Sequence, residues 1–119
     1  MTSQPQLLNR GDVILVLYPN SDLRTAKKRP ALVVQADNLD TGLNQIIVAM
    51  ITSRTFRANH PSRVLIELAT DEGQQSGLLS DSVVMTDNLA TVFLHAIDRK
   101  IGTLPAEPVD MALRYTLGL

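Results

Sequence analysis

The chain has 119 residues, 19% of them charged, with a formal net charge of −1 and no cysteine or tryptophan. That length suits one core rather than two, near-neutrality excludes bulk attraction to polyanions, and the missing cysteines exclude disulfide frameworks and thiolate metal sites. No apolar run approaches the roughly 20 residues that span a bilayer, and the N-terminus lacks the basic-then-apolar plan of an export signal. One domain over residues 1–119 is therefore expected, in the cytoplasm and with no membrane partner, its residues 1–10 forming a flexible lead.

With aromatic residues at 3%, the core must come from Val, Ile and Leu, whose β-branched members favour strands. Gly11 and Asp12 precede a first strand, Val13 to Tyr18, which Pro19 to Asp22 break. A basic loop, LRTAKKR, runs to Arg29, and Pro30, lacking an N–H, suits the start of a second strand from Ala31 to about Ala36. A broad turn leads to a third strand, Ile46 to Ile51, whose unbroken apolar character predicts burial on both faces at the sheet centre. A second basic loop, RTFRANHPS, precedes a fourth strand, RVLIELA, and then the loop TDEGQQSG. Two strand-like runs, Ser82 to Thr86 and Leu89 to His95, meet at a bend or bulge near Asp87. DRKIG reads as a turn or short helix. Val109, Ala112, Leu113 and Leu117 mark one helix face, with Pro105 or Pro108 in the first turn and Gly118 as the stop. The whole is mainly β: five or six strands and a C-terminal amphipathic helix.

The near-neutral total conceals a segregation of charge. From Asn20 to Arg63 seven basic residues face three acidic ones, a net +4, whereas from Val64 onward three face eight, a net −5. One part of the surface is thus suited to a polyanion, although a merely solvated, segregated surface explains the composition equally well. No phosphate-binding loop, dinucleotide glycine pattern, serine-hydrolase elbow or His-based metal spacing is present, so no metal or cofactor is expected. His95 reads as a packing or interface residue and His60 as solvated. Arg29 at a strand entry and Thr52 with Ser53 at a strand exit could share one phosphate.

The order GD-VILVLYP, a basic loop, RPALVVQ, an apolar strand ending ITS, then LLSDSVVMTDNLATV and IDRKIG resembles the MazF/PemK family of toxin endoribonucleases over nearly the entire chain. The resemblance implies a small SH3-like β-barrel with a terminal helix, acting as a homodimer. It also implies metal-independent cleavage of single-stranded RNA, leaving 2′,3′-cyclic phosphate and 5′-hydroxyl ends, with a cognate antitoxin as inhibitor. The family's catalytic Arg falls on Arg29 and its catalytic Thr on Thr52. Asp87 is a third catalytic candidate and competes with Asp22 for the role of proton acceptor, while a strand-bend role for Asp87 is equally open. Arg24, Lys27, Lys28, Arg54 and Arg57, with Ser53 and Asn88, make up the expected RNA-binding set. Arg24 stands where some relatives carry a Glu, Asn88 replaces a Gln, and Ala90 replaces an Arg. Two alternatives share the fold: a CcdB-like toxin that binds DNA gyrase through the terminal helix, and an RNA-binding module without cleavage.

Overall fold

The computed structural model describes residues 7–19 and 22–119. Its strands are β1 (Asp12–Pro19), β2 (Ala26–Val33), β3 (Gln45–Thr52), β4 (Arg63–Ile66), β5 (Ser82–Phe93) and β6 (Ile97–Thr103), with helices α1 (Asp71–Gln75) and α2 (Ala106–Leu117). The strands form one sheet in the order β4-β5-β3-β2-β1-β6, and every pairing is antiparallel.

β3 takes the central place expected of it, and the reason its sequence does not alternate is visible in the packing. Ala49 and Ile51 join a core with Val13, Leu32, Val84 and the α2 residues Val109 and Leu113. Ile46, Val48 and Met50 join a second core with Ile14, Val16, Ala31 and Val33. Successive side chains of a strand point to opposite faces, so the middle of the sheet is covered on both.

The strands number six, as a small SH3-like β-barrel suggests, and the barrel is not closed by pairing. β4 and β6 are the two edges and do not pair. Between them stand α1 and the turn after it, which lie directly on β6. A Cβ at Gly102 would collide with the carbonyls of Gln75 and Ser76, and one at Gly77 (φ +71°) with the carbonyl of Ile101. These glycines let two backbones meet where side chains would hold them apart.

Several element boundaries also moved. DRKIG lies in edge strand β6, and part of TDEGQQSG forms α1, whose N-cap Thr70 accepts the Gly73 N–H. β5 is one strand running through Asp87, and of the bend or bulge expected there it has the bulge: its register against β3 jumps from Met50↔Met85 to Ala49↔Leu89. His95 sits in a single 3-10 turn after β5. α2 ends on Gly118 in the left-handed region, as its sequence suggests, but Leu117 is exposed rather than packed. Of the lead, residues 1–6 lie outside the description. Arg10 is anchored: its guanidinium reaches Asp110 at 2.6 Å and the Val34 carbonyl at 3.1 Å, and its N–H reaches Asp37.

Candidate active site

The Arg-Pro dipeptide controls where the sheet opens. The Val33 carbonyl accepts from Gly11 and the Val34 N–H donates to Ile47, so odd-numbered residues of β2 face β1 and even-numbered ones face β3. Pro30 therefore turns its missing donor toward β3, and the β2–β3 ladder stops beside it after Val33↔Val48, Leu32↔Ala49 and Ala31↔Met50. The same register carried two places further would set Arg29 opposite Thr52. Instead the ladder ends there, and residues from both strands border a groove of about 900 Å³.

On the other side of β2 the ladder continues, from Val16↔Arg29 to Pro19↔Ala26. Much of the expected basic loop is thus strand, and Pro30 is its fifth residue rather than its first. Lys27, Lys28 and Arg29 are held in extended backbone with exposed side chains. A charged strand with one open edge suits solvent, and it resists pairing with another sheet.

Six cations line the groove: Lys27, Lys28, Arg29, Arg54, Arg57 and Arg99. Asp98 engages two of them, Lys28 at 3.4 Å and Arg99 at 2.8 Å. Among the described residues, no carboxylate and no imidazole line the groove. Thr52 stands at its head with its orientation fixed, since its Oγ1 accepts the Arg54 N–H at 3.2 Å. With a lone pair used in that way, the hydroxyl hydrogen points elsewhere and can be donated to a ligand. The arrangement supplies strong donors and positive charge, which is what a phosphodiester gaining charge requires.

Of the residues expected from sequence, Arg29, Thr52, Lys27, Lys28, Ser53, Arg54, Arg57 and Asn88 border the groove. Asp87 and Arg24 do not. The bulge in β5 gives Asp87 to Arg63, whose guanidinium makes two bonds to it, 2.8 and 3.3 Å. Those bonds, against some desolvation, hold the Asp87 carboxyl below the ordinary carboxylate range. Arg24 lies in the turn before β2, where its N–H donates to the Asp22 carboxylate. That bond, with further ones from Thr25, lowers the Asp22 carboxyl too. Both acidic candidates are thus saturated with donors, which weakens them as bases.

Asp87 then matters to stability in acid. Its folded pKa lies below its unfolded value of about 3.9, so the stabilisation is complete above that value and is lost as pH falls through the folded one. Asp87→Asn is expected to flatten the acid limb of the stability curve below about pH 4, read by urea unfolding at a series of pH values. An unchanged limb would show that the Arg63 pair contributes nothing.

Sequence reasoning missed Arg99, Tyr18 and Leu79, all on the groove. Arg99 was assigned to a turn or short helix, and only the basic character of DRK pointed to it. Among the described residues, no group of three His, Asp or Glu side chains is placed to hold a metal ion. No helix of these residues is long and apolar enough to cross a membrane.

A family model described as PemK-like, MazF-like toxin of type II toxin-antitoxin system matches residues 9–115. The chain is 35% identical over 107 residues to Endoribonuclease MazF2 of Mycobacterium bovis, covering 87% of this chain and 90% of that protein. The same figures hold for Endoribonuclease MazF6 of Mycobacterium tuberculosis. Among solved structures, a mycobacterial endoribonuclease in complex with its cognate antitoxin superposes with a TM-score of 0.73 at 18% identity, over 95% of this chain and 97% of that one. A MazE-MazF structure from Deinococcus radiodurans gives 0.71 at 18% identity, over 96% and 99%. At such identities the structural likeness speaks to the fold.

Proposed function

Because the chain belongs to the PemK-like, MazF-like toxin family of type II toxin-antitoxin systems, we propose that its groove is the active site of an endoribonuclease. In this reading it cuts single-stranded RNA without a metal. The observation that carries the proposal is that the β2–β3 ladder ends at Pro30 and that Arg29 and Thr52, next along the two strands, border a groove lined by cations.

The ribose 2′-oxygen attacks the adjacent phosphorus, its bond to phosphorus forms, and the bond from phosphorus to the 5′-oxygen breaks. Arg29 donates N–H bonds to the non-bridging oxygens as their charge grows, and Thr52 donates its hydroxyl to the same group. With Asp22 and Asp87 engaged elsewhere and Asp98 paired with Lys28 and Arg99, the 2′-hydroxyl proton leaves to solvent, and the departing 5′-oxygen takes one from solvent. The products carry 2′,3′-cyclic phosphate and 5′-hydroxyl ends. Lys27, Lys28, Arg54 and Arg57 hold flanking phosphates, while Ser53 and Asn88 offer neutral hydrogen bonds.

The experiment is cleavage of a long single-stranded RNA with excess chelator, across about pH 6 to 9. Cleavage is expected throughout, its logarithm rising with pH and showing no plateau. Intact RNA would overturn the proposal, and a plateau or bell would bring in a side-chain base.

The cytoplasm, where RNA is the available substrate, suits this activity, and secretion of active protein would contradict that placement. An antitoxin partner follows from the family, and an acidic inhibitor segment fits the same cations. Purified antitoxin and RNA should then compete, and simultaneous saturation by both would exclude a shared site. A homodimer is supported by Ile47, Leu89 and Phe93, which stay exposed on the sheet face that α2 covers elsewhere. Phe93→Glu should yield monomers in analytical ultracentrifugation; a wild-type monomer would refute the assembly.

A further inference from the structure

Leu79 is the most exposed large apolar side chain among the described residues, at 97%, and it stands on the groove. The segment that carries it is not loose. Its neighbour Leu78 packs against the core beneath α2. The Ser76 hydroxyl donates to the Gly73 carbonyl at 2.6 Å and accepts the Leu78 N–H at 3.1 Å. Gly77 lies against the backbone of β6, and the Asp81 carboxylate closes the far end by accepting the Leu68 N–H at 2.8 Å. A leucine presented to water on a backbone tied at both ends is not buried by local rearrangement, so it is held ready for an apolar partner from outside.

The rest of the groove says what that partner is. The groove combines cations, Lys27 to Arg29, Arg54, Arg57 and Arg99, with apolar side chains, Leu15, Leu78, Leu79 and Ile101 among them. A single nucleic-acid strand has the matching polarity, with charged phosphates along one edge and flat apolar bases along the other. A duplex hides those bases; an acidic peptide with apolar side chains would compete for the same groove, but it has no base whose removal the test below could register. We infer that Leu79 is a strand-binding residue that packs against the face of one unpaired nucleobase in the groove that Arg29 also lines. This rests on the endoribonuclease reading for the identity of the strand, though not on the cutting step. The contact is sequence-tolerant in itself, because every base has a face. It adds affinity for an unpaired strand, whose register is set by its other contacts.

The test is a binding cycle that does not depend on cleavage. Short RNAs with 2′-O-methyl groups throughout, each with one abasic nucleotide at a successive position, are titrated against wild type, Leu79→Ala and Leu79→Trp by fluorescence anisotropy. In wild type, one abasic position is expected to weaken binding by about fivefold more than its neighbours. Leu79→Ala should weaken the intact strand by a similar factor and erase the penalty at that position alone, and Leu79→Trp should enlarge it. Unchanged affinity in Leu79→Ala, or the same abasic penalty in wild type and Leu79→Ala, would overturn the inference, as would failure of wild type to bind. Tight binding with an intact Leu79 cycle but no cutting of unmodified RNA would instead refute the endoribonuclease reading and leave this one standing. Circular dichroism checks the fold of both variants.

Discussion

Arg29→Ala is expected to lower the cleavage rate of single-stranded RNA by about 10²- to 10³-fold, the usual consequence of removing one aligned donor from a developing oxyanion. The protein should stay folded. Arg29 is exposed, and exposed substitutions generally change stability by no more than about 0.5 kcal/mol; its backbone pairing with Val16 does not involve the side chain. Arg29→Lys separates charge from geometry: it keeps the cation but loses the planar fork that meets two phosphoryl oxygens together. A loss nearly as large as for alanine is expected. Thr52→Val removes the other donor at nearly constant volume and should also act on turnover more than on KM, since both groups matter most when charge has built up. The check is single-turnover kinetics on one short RNA. If Arg29→Ala cut normally, the clamp would be elsewhere; if only KM rose, Arg29 would be a binding cation like its neighbours.

Replacing the ribose at the cut site by deoxyribose is expected to abolish cleavage while changing affinity by no more than about the value of one weak hydrogen bond, a few-fold. The nucleophile in this account belongs to the RNA, so its removal leaves the protein's contacts intact and ends the reaction. The modified strand should then act as a competitive inhibitor of unmodified RNA. A DNA strand of the same sequence should bind by its phosphates and remain whole. Inhibition constants and product gels read the two effects separately, and any cutting of the deoxy strand would point to an attacking water.

The sheet centre was legible because its strands are apolar on both faces, and two cores flanking one sheet leave no other pattern for Ile46 to Ile51. Thr52 was legible as a strand end, whereas Arg29 and Pro30, read as a strand entry, lie inside β2. The opening between Arg29 and Thr52 was not legible, because it follows from which neighbour Pro30 faces, a property of register rather than of the dipeptide. Edge strand β6 was missed since DRK has no apolar alternation and is stabilised by its ladder with β1. The basic segment before Pro30 was read as a loop because charged residues are poor evidence for a strand, although an edge tolerates them. Asp87 shows a different limit. Its place in the sequence suited a catalytic carboxylate, but the bulge gives it to Arg63, a residue 24 positions away. Leu79 was silent for the opposite reason: within LLS nothing marks which leucine faces the core and which faces water.

The central claim is that this groove makes RNA cut itself with its own hydroxyl. The most direct measurement is the mass of the first-formed fragment when a short RNA is cleaved, with chelator present, in water enriched in heavy oxygen. The account predicts an upstream fragment ending in a cyclic phosphate, one water lighter than the linear form and without label, and a downstream fragment with a 5′-hydroxyl. A linear, labelled phosphate at the first turnover, or a phosphate on the 5′ end, would contradict it.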